Sequence, residues 1–309
     1  MNILVTGATG FIGRYLVEKL SKSADNSIFC LVRNPIKAKA LKPFGPELIY
    51  ADITDKESLK KILDYKIDVV FHCAGCVENK DFQILHSVNV VGTENICQLA
   101  KALKVKRLIY TSSVAVVSGN TQVPLTEDLP FRATNIYGDS KIEAEKVVLA
   151  YRQQGLPVVI VRPPIVYGEG EPHGTKLLVF LIKRRLFPLI NKGKNKLHLV
   201  YVKDVVDSMI FSLNDDRCLE GTFFIADEEV FTVAQVCSII SKAIGARPPF
   251  KLPKFISPFL VRLPYVGRKI SFFLKDRVYS IERIKSLGFK PSGSACENLG
   301  NSARSFLSN

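Results

Sequence analysis

Three glycines set between an apolar run and an amphipathic helix leave this chain few architectures to choose from. Residues 3–5 read Ile-Leu-Val, and Thr6-Gly7-Ala8-Thr9-Gly10-Phe11-Ile12-Gly13 follows directly. Glycine at 7, 10 and 13 lets the backbone turn tightly, brings N–H groups close to an anion, and allows the helix to pack near the strand. A turn of this kind between a strand and a helix is the phosphate-binding start of a dinucleotide-binding unit.

The alternation continues. Short β-branched runs at 3–6, 28–32, 48–50, 69–73, 107–111 and 158–161 are separated by helical stretches at 11–21, 58–63, 84–103 and 137–154. Strands spaced by helices predict right-handed crossovers and an α/β fold of the Rossmann type: a doubly wound parallel sheet with its ligand beyond the carboxyl ends of the strands. After Gly168 prolines, glycines and basic residues become frequent, and strand signals at 197–202 and 222–225 stand alone. The expected organisation is a dinucleotide-binding domain over 1–168 and a smaller, mainly substrate-binding C-terminal lobe over 169–309, with some later segments returning to the first domain.

Composition narrows the partners. A hydrophobic share of 47% excludes a disordered chain, and 43 Lys plus Arg against 29 Asp plus Glu give +14, which attracts anions. Eight of these cations (Lys176, Lys183, Arg184, Arg185, Lys192, Lys194, Lys196, Lys203) fall between Pro172 and Lys203 without one acid. A second basic stretch, 247–277, has Asp276 as its only acid and carries the apolar run Phe255-Ile256-Ser257-Pro258-Phe259-Leu260-Val261. No aromatic and basic stacking surface or recognition helix accompanies the charge, so a small molecule rather than nucleic acid is expected, with weak peripheral membrane contact through 255–266 and a homodimeric assembly. Seven cysteines scattered from Cys30 to Cys296 predict a reducing compartment. Cys73-Ala-Gly-Cys76 has no second pair to complete a zinc site, and no metal is expected. With no signal-like segment before the first strand and no run of about 18 apolar residues, a cytoplasmic location is expected.

At the end of the second strand, where a carboxylate would bind a ribose 2′-hydroxyl, stands Arg33. A guanidinium binds a 2′-phosphate, so the cofactor is expected to be NADP, with NAD as the alternative and Arg14 and Lys37 as helpers. Asp52 is placed to accept from the adenine amino group, with Ile53 against the ring. Tyr137-Gly138-Asp139-Ser140-Lys141 opens a helix, which sets Tyr137 and Lys141 one turn apart on one face. An ammonium beside a phenol favours the phenolate, which makes a tyrosine usable as a base. The same spacing recurs at Tyr15/Lys19 and Tyr265/Lys269. What distinguishes Tyr137 is Tyr110-Thr111-Ser112-Ser113 upstream, with Ser113 just past the fifth strand.

Taken in order, Thr6 to Gly13, Asp52-Ile53, His72-Cys73-Ala74-Gly75, Asn89-Val90-Val91-Gly92-Thr93, Thr111-Ser112-Ser113, Tyr137-x-x-x-Lys141, Arg162-Pro163-Pro164-x-Val166-Tyr167-Gly168 and Val200-Tyr201-Val202-x-Asp204 resemble the extended short-chain dehydrogenase/reductase superfamily, epimerase/dehydratase type, over the whole chain. The resemblance implies that Ser113 orients the reacting oxygen, Tyr137 is the general acid/base, and Lys141 holds the nicotinamide ribose. It further implies cofactor contacts from Gly7, Gly10, Phe11, Ile12 and Gly13, from Cys73, Ala74 and Gly75, and from Asn89 and Pro163. Substrate contacts fall to Ser113, Val114, Tyr137 and His198, the last weighed against a satisfied core histidine.

Departures from the pattern carry information too. Val114-Ala115 stands where dehydratases of the superfamily carry an acidic pair, so elimination of water is disfavoured. The basic run favours an epimerase or oxidoreductase acting on a nucleotide-linked sugar. Arg33, Val114 and the apolar stretch near 255 favour a reductase or dehydrogenase of a sterol-like or flavonoid-like compound, as in the similar 3β-hydroxysteroid dehydrogenase and dihydroflavonol reductase branches. A non-catalytic nucleotide-binding subunit is the third class, opposed by the intact Ser113, Tyr137 and Lys141.

Overall fold

In the computed structural model, residues 1–77, 81–252 and 275–307 are described. The strands are β1 Asn2–Thr6, β2 Ser27–Val32, β3 Glu47–Tyr50, β4 Val69–His72, β5 Arg107–Thr111, β6 Val158–Arg162, β7 Ile165–Tyr167, β8 Lys196–Leu197, β9 Leu199–Tyr201, β10 Thr222–Phe224 and β11 Phe231–Thr232. Seven of them form one sheet in the order β3-β2-β1-β4-β5-β6-β10, with every neighbouring pair parallel. Strand order reverses between β1 and β4, and that switch point opens a crevice at their carboxyl ends. The helices are α1 Phe11–Leu20, α2 Pro35–Ala38, α3 Lys56–Leu59, α4 Phe82–His86, α5 Gly92–Ala102, α6 Ile136–Gln153, α7 Thr175–Lys183, α8 Val202–Asn214 and α9 Val233–Ala243, followed by Glu282–Ser286 and Ala295–Ser305.

Both faces of the sheet are covered, which is why β4 and β6 are buried at every position. One layer packs Leu16, Val17 and Leu20 of α1 and Val205 and Met209 of α8 against Ile3, Val5 and Phe71. The other packs Ile96, Leu99 and Ala100 of α5 and Ala144 and Val148 of α6 against Leu4, Val70 and Leu108. Arg107 ties sheet to helix: its guanidinium, 5% exposed, donates to the carbonyls of Ser212 and Leu213 at the end of α8 over 2.5 and 2.6 Å.

The sequence predicts one helix over 84–103. Instead α4 and α5 are joined by a π-helical turn, Ser87–Val91. A π turn inserts a residue into the ladder, and such turns occur often at functional sites. Here it buries Asn89. The helix predicted at 58–63 starts earlier, because Asp55 caps α3 by accepting from Glu57 N–H, and it then tightens into 3-10 geometry over Lys60–Asp64.

The described residues of 169–309 are shared between the sheet and a cluster beyond it. Strand β10 pairs with β6 at the sheet edge, and α8 lies in the same layer as α1. What stands over the carboxyl ends is a separate cluster, in which α7, α9 and the last helix pack around Val179, Ile182, Val236, Ile240 and Leu299. The stretch 255–266 lies outside the described residues.

Candidate active site

Between the glycine turn and this overlying cluster runs a cleft of about 1150 Å³. Of the residues singled out in the sequence, Gly7, Gly10, Phe11, Ile12, Gly13, Cys73, Ala74, Gly75, Asn89, Ser113, Val114, Tyr137, Lys141, Pro163 and His198 line it. Arg33, Asp52 and Ile53 do not. Arg33 Nη1 pairs with Asp52 Oδ2 at 3.4 Å with its side chain 72% exposed, while Ile53 is buried against Gly92. Burial raises the Asp52 pKa, but the Thr54 N–H and hydroxyl and the Arg33 guanidinium outweigh it and hold the carboxyl below its usual range.

The residues at the glycine turn fit a dinucleotide. A Cβ on Gly7 would lie 2.5 Å from Ala74 N and one on Gly13 2.2 Å from Gly7 O, so only glycine permits this packing. No side chain caps α1 and no acid sits in its first turn, which leaves its N-terminal N–H groups free toward the cleft, with Arg14 beside them. Uncapped N–H groups at a helix start are a ready site for a pyrophosphate.

A chain of buried hydrogen bonds joins this turn to α6, and its direction can be worked out. The Thr93 hydroxyl donates to Asn89 O at 2.5 Å, so it must accept from His72 Nε2–H at 3.0 Å. His72 Nδ1 then accepts from the Thr6 hydroxyl at 2.7 Å, and Thr6 Oγ1 receives Ala74 N–H at 3.3 Å. Burial pushes the His72 pKa down to about 3, which keeps the ring neutral and the chain intact. At the other end Asn89 clamps both backbone groups of Cys76 at 2.7 and 2.9 Å and donates to Ser140 Oγ at 2.9 Å. That hydroxyl in turn donates to Tyr137 O at 2.8 Å.

Asn135 caps α6 by accepting from Gly138 N–H, and this start fixes Tyr137 at the cleft floor. Burial raises the Tyr137 pKa, and its hydrogen bond with Ser113 opposes the rise. Ser113 Oγ also accepts from Ala115 N–H at 3.1 Å. Lys141 sits 4.5 Å above the Tyr110 ring and donates to Thr111 O at 2.9 Å. Burial lowers its pKa to about 8, with Glu145 and Cys73 opposing. The Lys141 ammonium is thus directed to the carbonyl at the end of β5.

Two features of the substrate half bear on what it can hold. None of the eight cations at 176–203 lines the cleft, and all are exposed. Along α7, Val179 and Ile182 are buried while Lys176 and Lys183 stay exposed. The walls there are instead Leu178, Phe187, Leu197, Val236 and Ile240, with Glu169, Glu171 and Arg277 as charged groups the sequence reading missed. His198 reaches the cleft, but Nε2–H donates to Asp227 O at 2.6 Å and Nδ1 accepts from Tyr279 N–H at 3.2 Å, so both nitrogens are used.

A phenol, a hydroxyl and an ammonium gathered beside a dinucleotide-shaped cradle define an enzyme of nicotinamide-dependent hydride chemistry. The chain belongs to the NAD-dependent epimerase/dehydratase family, whose model matches residues 3–225. It is 28% identical to a UDP-glucose 4-epimerase of Vibrio cholerae, over 99% of this chain and 95% of that protein. It is 30% identical to a 3β-hydroxysteroid dehydrogenase/Δ5→4-isomerase of Mycobacterium tuberculosis, over 80% of this chain and 70% of that one. The solved UDP-glucose 4-epimerase of Thermotoga maritima has the same fold, with a TM-score of 0.83 at 22% identity over 100% and 99% of the two chains. Among the described residues no helix is long and apolar enough to cross a membrane.

Proposed function

We propose that the protein interconverts a secondary alcohol and a ketone carried on a largely apolar body, using NADP(H) in preference to NAD(H). The observation that carries the reading is the substrate half of the cleft, walled by Leu178, Phe187, Val236 and Ile240 while the basic run faces outward. Bound at the glycine turn, the nicotinamide nucleotide supplies or accepts the hydride. Phe11, Ile12 and Gly13 N–H would hold its pyrophosphate, and the exposed Arg33 could turn from Asp52 to a 2′-phosphate. Tyr137 Oη gives its proton to the carbonyl oxygen or takes it from the hydroxyl, Ser113 Oγ orients that oxygen, and the Lys141 ammonium, held at the Thr111 carbonyl, would hold the nicotinamide ribose. Val114 and Ala115 carry no proton to move, which restricts the site to hydride transfer without elimination.

A nucleotide-linked sugar is the second reading, favoured by Arg277 in the cleft wall and by the length of the match to the UDP-glucose 4-epimerase. A thermal-shift panel with saturating NADP separates the two. Stabilisation by sterol-like or flavonoid-like ketones and not by UDP, dTDP or GDP is the expected result, and the reverse pattern removes the apolar reading.

A further inference from the structure

We propose that Glu171 sets substrate charge by filling, with its own carboxylate, the anion position that α7 would otherwise offer in the substrate half of the cleft. This deepens the reading of an uncharged, apolar-bodied substrate and rests on it.

Four helices begin at the cleft, and their starts are treated differently. Helix α1 has no side-chain cap, and α6 and α9 are capped by the neutral Asn135 and Thr232. At α7, nine residues long, the Glu171 carboxylate reaches forward to the backbone. It accepts from His173 N–H at 2.5 Å through Oε1, from Gly174 N–H at 3.0 Å and from Thr175 N–H at 2.6 Å through Oε2. Glu171 is only 5% exposed, yet it belongs to the cleft wall together with His173, Gly174 and Thr175. Burial acts to raise its pKa, but the three N–H groups prevail and hold the carboxyl below its ordinary value, so it is ionised at neutral pH.

The consequence is electrostatic. A phosphate arriving in this half of the cleft meets N–H groups already bonded to a carboxylate, and it would have to displace that carboxylate or be repelled by it. Glu169 stands two residues upstream in the same wall, bonded to the Tyr15 and Tyr201 hydroxyls, and adds a second negative charge. At α1 the equivalent groups are left open. The molecule thus accepts the cofactor's anion at one helix start and closes another to a substrate anion.

The test measures binding of UDP and of inorganic pyrophosphate, by calorimetry, to the NADP-saturated protein and to its Glu171→Ala, Glu171→Gln and Glu169→Gln variants. Removing the carboxylate should raise affinity about tenfold or more, with the gain shrinking between about 20 mM and about 300 mM salt. Glu169→Gln removes the same charge but frees no N–H group, and it should change affinity less than about threefold. If Glu171→Ala is too unstable to assay, Glu171→Gln, whose amide oxygen can still accept, carries the test with a smaller gain. A role limited to capping predicts a lower melting temperature and unchanged anion affinity, and that result overturns the proposal. Equal gains in the Glu171 and Glu169 variants, or wild-type binding of UDP as tight as in Glu171→Ala, overturn it as well. Failure of the apolar-substrate reading is separately visible as absence of ketone turnover in the wild type.

Discussion

Lys141 donates to the Thr111 carbonyl over 2.9 Å, so the cation at the cleft floor is held by the end of β5 and not by the phenol one helical turn before it. Burial has brought its pKa down to about 8, and the lysine loses its charge as pH rises through that value, while the raised Tyr137 keeps its proton. For ketone reduction, kcat/KM should therefore fall as pH rises past about 8. Lys141→Arg, whose charge persists, should remove that limb even where the overall rate is lower. A profile flat from about pH 7 to about pH 10 would exclude the lysine as the titrating group.

Tyr137→Phe deletes the phenolic proton and no phosphate contact. Turnover should drop by about 10²–10⁴-fold with cofactor affinity nearly unchanged. Stopped-flow hydride transfer and a fluorescence titration of NADPH measure the two quantities, and wild-type turnover in the variant would reassign the acid.

Arg33 is the discriminating residue for the cofactor. NADP(H) should bind more tightly than NAD(H), and Arg33→Ala should weaken NADPH by about tenfold while leaving NADH within about twofold, since only the former carries the 2′-phosphate. Calorimetry that gives the wild type a preference for NAD(H) would assign Arg33 to its ion pair with Asp52 alone.

Glu145 is fully buried and receives Arg162 Nε at 2.9 Å and Nη2 at 2.6 Å, with Ser112 donating to the same carboxylate. Arg162→Met leaves that charge without its partner and should cost about 3–5 kcal/mol, whereas adding Glu145→Leu should recover much of the loss. Urea melts of the two single variants and the double variant give the comparison, and equal stability of the Arg162→Met and double variants would refute it.

What the sequence made legible follows from local rules. The glycine turn, the β-branched runs and the start of α6 are set by residues within about ten positions of one another, where period and capping decide. The π turn at Ser87–Val91 escaped because apolar spacing continues through it, and only the partners of Asn89, Cys76 and Ser140, reveal the extra residue. The orientation of the basic run was not legible, because charge density carries no direction. Only the packing of α7, with Val179 and Ile182 buried and the cations exposed, supplies that direction. Glu171 illustrates the remaining gap: its motif is short, and its meaning depends on which helix start opens into the cleft.

Strand β10 has a consequence for how the chain is made. A ribosome that has released only residues 1–168 has delivered six of the seven strands of the sheet, with β6 as an open apolar border whose neighbour is still unsynthesised. Until Thr222–Phe224 emerges and docks, that border is a template for any other extended segment. The nascent protein therefore completes its nucleotide-binding half only after most of the second half exists, and a gene truncated at the apparent boundary yields an unfinished sheet.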